Sequence, residues 1–187
     1  YANFFGATPV PYRTIEKDGW NIDVQDLKSK ITERTKCIVI INPNNPTGAV
    51  YPKKTLKEIL DIAIEHDVFI ISDEIYDRIT FDDSFVSPAS MTDEVPILTF
   101  NGISKIYLAP GWRVGYMAFY NWDTLFDIKE GIMKELRARI SANSICQAGA
   151  IEAYKGSEKY VLEMVSKLKQ RSEFAYKRLN EISGIST

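Results

Sequence analysis

Three short clusters hold the side chains best suited to chemistry. The first is Asn42-Pro43-Asn44-Asn45-Pro46-Thr47-Gly48, where Asn45 offers a carboxamide. The second is Ser72-Asp73-Glu74-Ile75-Tyr76, with a carboxylate and a phenol three residues apart. The third is Asn101-Gly102-Ile103-Ser104-Lys105, followed by Gly111-Trp112-Arg113. An amine such as Lys105 can attack a carbonyl carbon and hold it as a Schiff base. A carboxylate such as Asp73 can keep a ring nitrogen protonated, and the planar fork of Arg113 matches a phosphate. Each residue alone has a plainer reading. A loop lysine is usually a solvated surface group, an Asp after a strand is often an N-cap, and Asn-Pro-Thr-Gly makes a turn. Their joint occurrence outweighs those readings.

The elements around the clusters explain why they would meet. Cys37-Ile38-Val39-Ile40-Ile41, Val68-Phe69-Ile70-Ile71 and Pro96-Ile97-Leu98-Thr99-Phe100 are apolar runs without alternation, as in a parallel sheet covered on both faces. Between the first two, Leu56, Ile59, Leu60, Ala63 and Ile64 mark an amphipathic helix, with Thr55 and Glu58 spaced as a capping box. Strand, helix, strand at this spacing makes a βαβ unit with parallel strands. Asp23 to Ile31 reads as a shorter helix with Asp23 as N-cap. The run from Val114 to Tyr120 follows a Pro110-Gly111 loop too short for a crossover helix, so an antiparallel neighbour is expected. Helices are expected over 122–140, 143–154 and 157–182, the last with Val161, Met164, Val165, Leu168, Ala175, Leu179 and Ile182 along one stripe. The fold class is therefore α/β, a mostly parallel mixed sheet flanked by helices.

In open α/β sheets ligands bind beyond the carboxyl ends of the strands. Each cluster comes directly after one strand, so an amide, a carboxylate, a phenol, an amine and a guanidinium converge at one sheet edge. That set matches the needs of pyridoxal 5'-phosphate: an amine for the Schiff base, an acid for the pyridine nitrogen, partners for the ring oxygen and groups for the phosphate. NPNNPTG, SDEIY and NGISKIYLAPGWRVGY, in this order, resemble the class I/II aminotransferases, pyridoxal phosphate enzymes of fold type I, over nearly the whole chain. The similarity is to their alanine, aspartate and aromatic aminotransferases. The resemblance implies that Lys105 forms the Schiff base and that Asp73 pairs with the pyridinium nitrogen. It further implies that Tyr76 and Asn45 contact the ring oxygen and that Arg113 and Ser104 bind the phosphate. One position departs: many relatives carry a phosphate-binding Ser three residues before the lysine, where this chain has Gly102.

Composition narrows the alternatives. The 187 residues carry 23 basic and 25 acidic side chains, a net charge of −2, which gives no electrostatic footprint for nucleic acid or an anionic membrane. Cys37, Cys146 and the single histidine, His66, are too few for a disulfide scaffold or a His-rich metal site, and no metal is expected. The cysteines are read as small buried hydrophobes, His66 as a favourable C-terminal partner of its helix, and Trp112 as a packing residue. Glu74 should point away from Asp73. No apolar run approaches the roughly 18 residues of a membrane span, and a reducing cytoplasmic setting is the default.

The resemblance implies transfer of an amino group from an α-amino acid, alanine being the first guess, to a 2-oxo acid such as 2-oxoglutarate. It also implies a homodimer in the full-length protein. Residues 1–155 are read as a partial cofactor-binding large domain, and 156–187 as a linking helix and the start of a small domain. The chain starts at Tyr1 within apolar sequence and reads like the middle of something longer, expected to be poorly active alone. Two other roles use the same fold: a carbon–sulfur β-lyase and the effector domain of a transcription regulator.

Overall fold

The computed structural model describes residues 2–81, 85–140 and 142–187. A small antiparallel ribbon, β1 (Thr14–Ile15) with β2 (Asn21–Ile22), leads into helix α1 (Val24–Lys30). The expected cap is present: the Asp23 carboxylate accepts from the Asp26 N–H at 3.0 Å. The main sheet has the order β3 (Cys37–Ile41), β4 (Phe69–Asp73), β5 (Ile97–Gly102), β6 (Gly115–Tyr120). The first three strands are parallel and β6 is antiparallel to β5, as the short Pro110-Gly111 connection requires. The mixed α/β architecture read from the sequence is therefore the one observed.

Helix α2 (Lys53–Glu65) crosses between β3 and β4 and supplies five residues of the buried core. Leu56, Ile59, Leu60, Ile62 and Ala63 are buried against Ile38, Ile40, Ile70 and Ile97. Each of these Leu and Ile side chains contributes about 1.5–3 kcal/mol by leaving water, so this face fixes the helix on the sheet. Two details of α2 differ from expectation. The Thr55–Glu58 capping box does not form, because Pro52 (φ −61°) starts the helix at Lys53 and draws Thr55 inside its first turn, where it is buried. Ile62 joins the buried stripe, while Ile64 turns outward at 42% exposure.

Strand β3 departs from the expected two covered faces. Ile38 and Ile40 are buried beneath α2, but Val39 between them is 47% exposed. As an edge strand, β3 is covered by α2 on one face only. Beyond β6, helix α3 being the short one after β5 (Ile103–Ile106), come α4 (Phe126–Ala138), α5 (Ser144–Lys155) and α6 (Lys159–Asn180). The Asn143 side chain caps α5 by accepting from the N–H groups of Ile145 and Cys146. On α6 only Val161 is buried, Met164, Val165 and Leu168 are half-buried, and the rest of the expected stripe is exposed. Cys37 and Cys146 are half-buried rather than buried, and burial pushes the Cys37 thiol up. His66 ends α2, its imidazole 3.9 Å from Glu65. No helix among the described residues is long and apolar enough to cross a membrane, and they hold no cluster of three or more metal-ligating side chains.

Candidate functional site

Strand register brings the three motifs together. Ile41 pairs with Asp73, and Asp73 with Phe100, so β3 and β4 end level at one sheet edge and β5 runs two residues further, to Gly102. Backbone bonds hold that edge: the Asn42 N–H donates to Asp73 O at 3.0 Å, and the Glu74 N–H to Phe100 O at 2.9 Å. Asp73 is half-buried at the tip of β4, where its Oδ1 accepts from the Ile75 N–H at 3.1 Å. This is a local turn rather than a helix cap, since residues 74–79 form successive turns. That turn lifts Tyr76 back over the edge.

Tyr76 is the hub of the group. The Asn45 amide Nδ2 lies 3.4 Å from its hydroxyl, and the Lys105 ammonium lies 5.4 Å from its ring centroid, a cation–π approach. Lys105 sits with Ser104 on the short helix α3, which continues directly from β5. Ile103 and Ile106 are buried, which turns the intervening Lys105 outward; Ser104 is half-buried. Arg113 stands eight residues on, exposed, with its Nη1 donating to Pro110 O at 2.7 Å. Its backbone is left-handed (φ 54°), as is that of Leu108 (φ 51°) in the same loop. Non-glycine residues rarely adopt this conformation, and it tends to persist where surroundings enforce it at functional sites. The structure thus joins Asn45, Tyr76 and Lys105, sets Asp73 at the same edge, and holds Arg113 in the loop that leaves it. An open cleft of about 380 Å³ lies beside this group, lined by Asn45, Pro46, Tyr76, Ile79 and Phe81 but not by Asp73, Lys105 or Arg113.

Beneath this edge lies a polar layer that the motifs did not announce. Asp73 is half-buried, whereas Glu74 is buried. Its Oε1 accepts from Ser72 Oγ at 2.8 Å and Ser87 Oγ at 2.7 Å. Burial pushes its carboxyl above the ordinary 4.5 against the pull of both serines. Asn101 donates to Asp77 Oδ2 at 3.0 Å and accepts from the Gly102 N–H at 2.7 Å. Asp77 is likewise pushed up by burial, and its Oδ1 is buried without a partner among the described residues. Asn42 Oδ1 accepts from the Tyr51 N–H at 3.0 Å, which ties the Asn-Pro loop to the start of α2. Only the polar character of these residues within apolar strand sequence could have signalled the layer.

Gly102 has a structural explanation. It pairs with Gly115 across β5 and β6, and an added Cβ would lie 2.9 Å from both Gly115 Cα and Val114 O. A serine three residues before Lys105 would therefore force β5 and β6 apart, which leaves Ser104 as the nearby hydroxyl. The donor set that remains fits pyridoxal phosphate: an amine, a carboxylate, a phenol with an amide beside it, a hydroxyl and a guanidinium.

Comparison with known proteins agrees on the class. The family model for aminotransferases of class I and II matches residues 1–187, and the chain belongs to that family. It is 41% identical over 186 residues to alanine aminotransferase of Mycobacterium tuberculosis, covering 97% of this chain and 43% of that protein. A glutamate–pyruvate aminotransferase of Escherichia coli is 38% identical over 182 residues, covering 95% of this chain and 45% of that protein. The solved alanine aminotransferase from Pyrococcus furiosus superposes with a TM-score of 0.96 at 50% identity, over 100% of this chain and 48% of that one. The chain spans about half the length of the curated relatives it matches.

Proposed function

We propose that this chain is the cofactor-bearing part of a pyridoxal phosphate-dependent aminotransferase, with Lys105 as the amine that binds the cofactor covalently. The observation that carries the reading is the meeting of Lys105, Tyr76 and Asn45 at the sheet edge where Asp73 ends β4. When bound, the cofactor supplies an electron sink for the bond breaking at the substrate's α-carbon. Asp73 would hold the ring nitrogen protonated, with its carboxylate oriented by the Ile75 N–H. Tyr76 and Asn45 would share the ring oxygen. Arg113 and Ser104 would take the phosphate, the guanidinium as a planar fork. With the cofactor bound, the Lys105 amine would take the proton from the substrate's α-carbon as a general base. Its place beside the Tyr76 ring would keep that amine within the site.

The relatives' names support an α-amino acid donor and a 2-oxo acid acceptor; alanine and 2-oxoglutarate are the first pair to try. The reading extends to a homodimer of the full-length protein in the cytoplasm. In it, residues 1–155 form the cofactor-binding unit, and 156–187 link to a small domain. The test is a half-reaction. Cofactor-loaded full-length protein is mixed with single amino acids without acceptor, and the cofactor absorbance and the released oxo acid are followed. Conversion of alanine to pyruvate with one amino group retained per site supports transamination; release of free ammonia without retention of nitrogen overturns it.

A further inference from the structure

Helix α5 contacts the loop between Lys105 and Tyr116 at two places. Near its middle, Gly149 faces the Trp112 indole, and a Cβ there would lie 2.5 Å from Cζ3 and 3.0 Å from Cη2 of that ring. Five residues on, Tyr154 meets Tyr107 and Tyr116 edge-on, with ring centroids 5.4 and 5.9 Å apart. Tyr107 lies two residues after Lys105 and Tyr116 three after Arg113, so α5 brackets the loop that carries both.

Glycine inside a helix costs about 0.5–1 kcal/mol relative to alanine, so Gly149 calls for a packing reason, and the indole seat supplies one. Trp112 is joined directly to Arg113, which has no burial of its own to hold it. The Arg113 backbone is fixed locally: by the Trp112 N–H on Ala109 O at 3.2 Å, the Ile103 N–H on Val114 O at 3.4 Å, and the left-handed φ of 54°. The guanidinium closes the same turn onto Pro110 O. Moving the indole off α5 therefore re-aims the residue beside it. A bidentate fork depends on orientation as well as charge, so a small rotation loses part of the grip on an anion.

We propose that Gly149 and Trp112 are positioning residues for Arg113, with Gly149 as the seat and Trp112 as the arm that sets the guanidinium for a phosphate. This rests on the reading of the site as a pyridoxal phosphate site, and it predicts an effect confined to the phosphate end of the ligand. The probes are pyridoxal 5'-phosphate and pyridoxal, which lacks the phosphate. In full-length protein, their affinities are measured by absorbance titration, and covalent uptake is counted by mass after borohydride reduction. Gly149→Ala is expected to weaken pyridoxal phosphate binding about tenfold and to leave pyridoxal within about twofold, the scale of one charge-assisted hydrogen bond. In an Arg113→Ala background the same substitution should change neither probe. Trp112→Ala, which removes the arm without adding bulk, should repeat the pattern and serves as the test if Gly149→Ala does not fold. Equal weakening of both probes, unchanged pyridoxal phosphate affinity, or an undiminished effect without Arg113 overturns the proposal. If the unsubstituted protein takes up neither probe at Lys105, the cofactor reading falls and the seat with it; uptake with an indifferent Gly149→Ala refutes the seat alone.

Discussion

Gly102→Ala and Gly102→Ser test whether strand packing dictates the residue three positions before the lysine. Gly102 has φ 175°, extended backbone that any residue adopts, so conformation alone does not demand glycine. With no obstacle, replacing glycine at such a place stabilises by about 0.4–1 kcal/mol through the unfolded chain. Here the new Cβ would stand 2.9 Å from Gly115 Cα and 2.9 Å from Val114 O. Carbon contacts prefer roughly 3.5–4.0 Å, so β5 and β6 must part by several tenths of an ångström at their paired glycines. Overpacking of this kind costs about 1–3 kcal/mol. Parting also stretches the 3.4 Å bond from the Ile103 N–H to Val114 O, worth roughly 1 kcal/mol at most. A net loss of about 2 kcal/mol lowers Tm by roughly 4–8 °C at this chain size. The assay is thermal denaturation followed by circular dichroism, with Gly131→Ala as control. Gly131 lies on an exposed face of α4 with nothing within 4 Å of its would-be Cβ, so that change should stabilise by about 0.5–1 kcal/mol. A Gly102→Ser protein as stable as the unsubstituted one, and binding pyridoxal phosphate more tightly, would refute the packing argument.

Two further outcomes come from the buried layer and the core. The Glu74 carboxyl is raised in the folded state, so the fold favours its protonated form; that stabilisation is full below the ordinary value of 4.5 and is lost as pH rises through the raised value. Glu74→Gln keeps an oxygen for Ser72 and Ser87 without titrating, so its Tm relative to the unsubstituted protein should climb over that window and then level; a constant difference at every pH counts against the assignment. Leu56→Ala removes a fully buried side chain from the α2 face and should cost about 2–5 kcal/mol, read from denaturant midpoints; a loss under 1 kcal/mol would mean that α2 does not anchor the sheet.

The sheet and its reactive edge were legible because both rest on short-range patterns. Runs such as Ile38–Ile41 announce strands, and the spacing of Leu56, Ile59, Leu60 and Ala63 announces the helix between them. Once the strands are parallel, the loops leaving their carboxyl ends must gather at one edge, and Asn45, Asp73, Tyr76 and Lys105 could be placed there from the sequence. Pro110-Gly111 foretold the reversal into β6 by leaving too little chain for a crossover. Features set by tertiary competition were less legible. Thr55 and Glu58 had capping-box spacing, but Pro52 fixed the helix start two residues ahead of Thr55 and left the box inside it. Val39 had the composition of a buried strand residue, yet exposure depends on what lies above it. The Glu74–Ser72–Ser87 and Asn101–Asp77 contacts join residues 13 and 24 positions apart at most, with no periodicity to mark them. The Trp112 seat on Gly149 is of the same kind: two residues whose meaning exists only when α5 folds back on the lysine loop.

The central claim is that Lys105 is the amine that holds the cofactor. Full-length protein incubated with pyridoxal 5'-phosphate, reduced with borohydride and digested should carry the pyridoxyl mass on the peptide containing Lys105, and Lys105→Ala should carry none. The mass on a different lysine, or undiminished labelling of Lys105→Ala, would contradict the account.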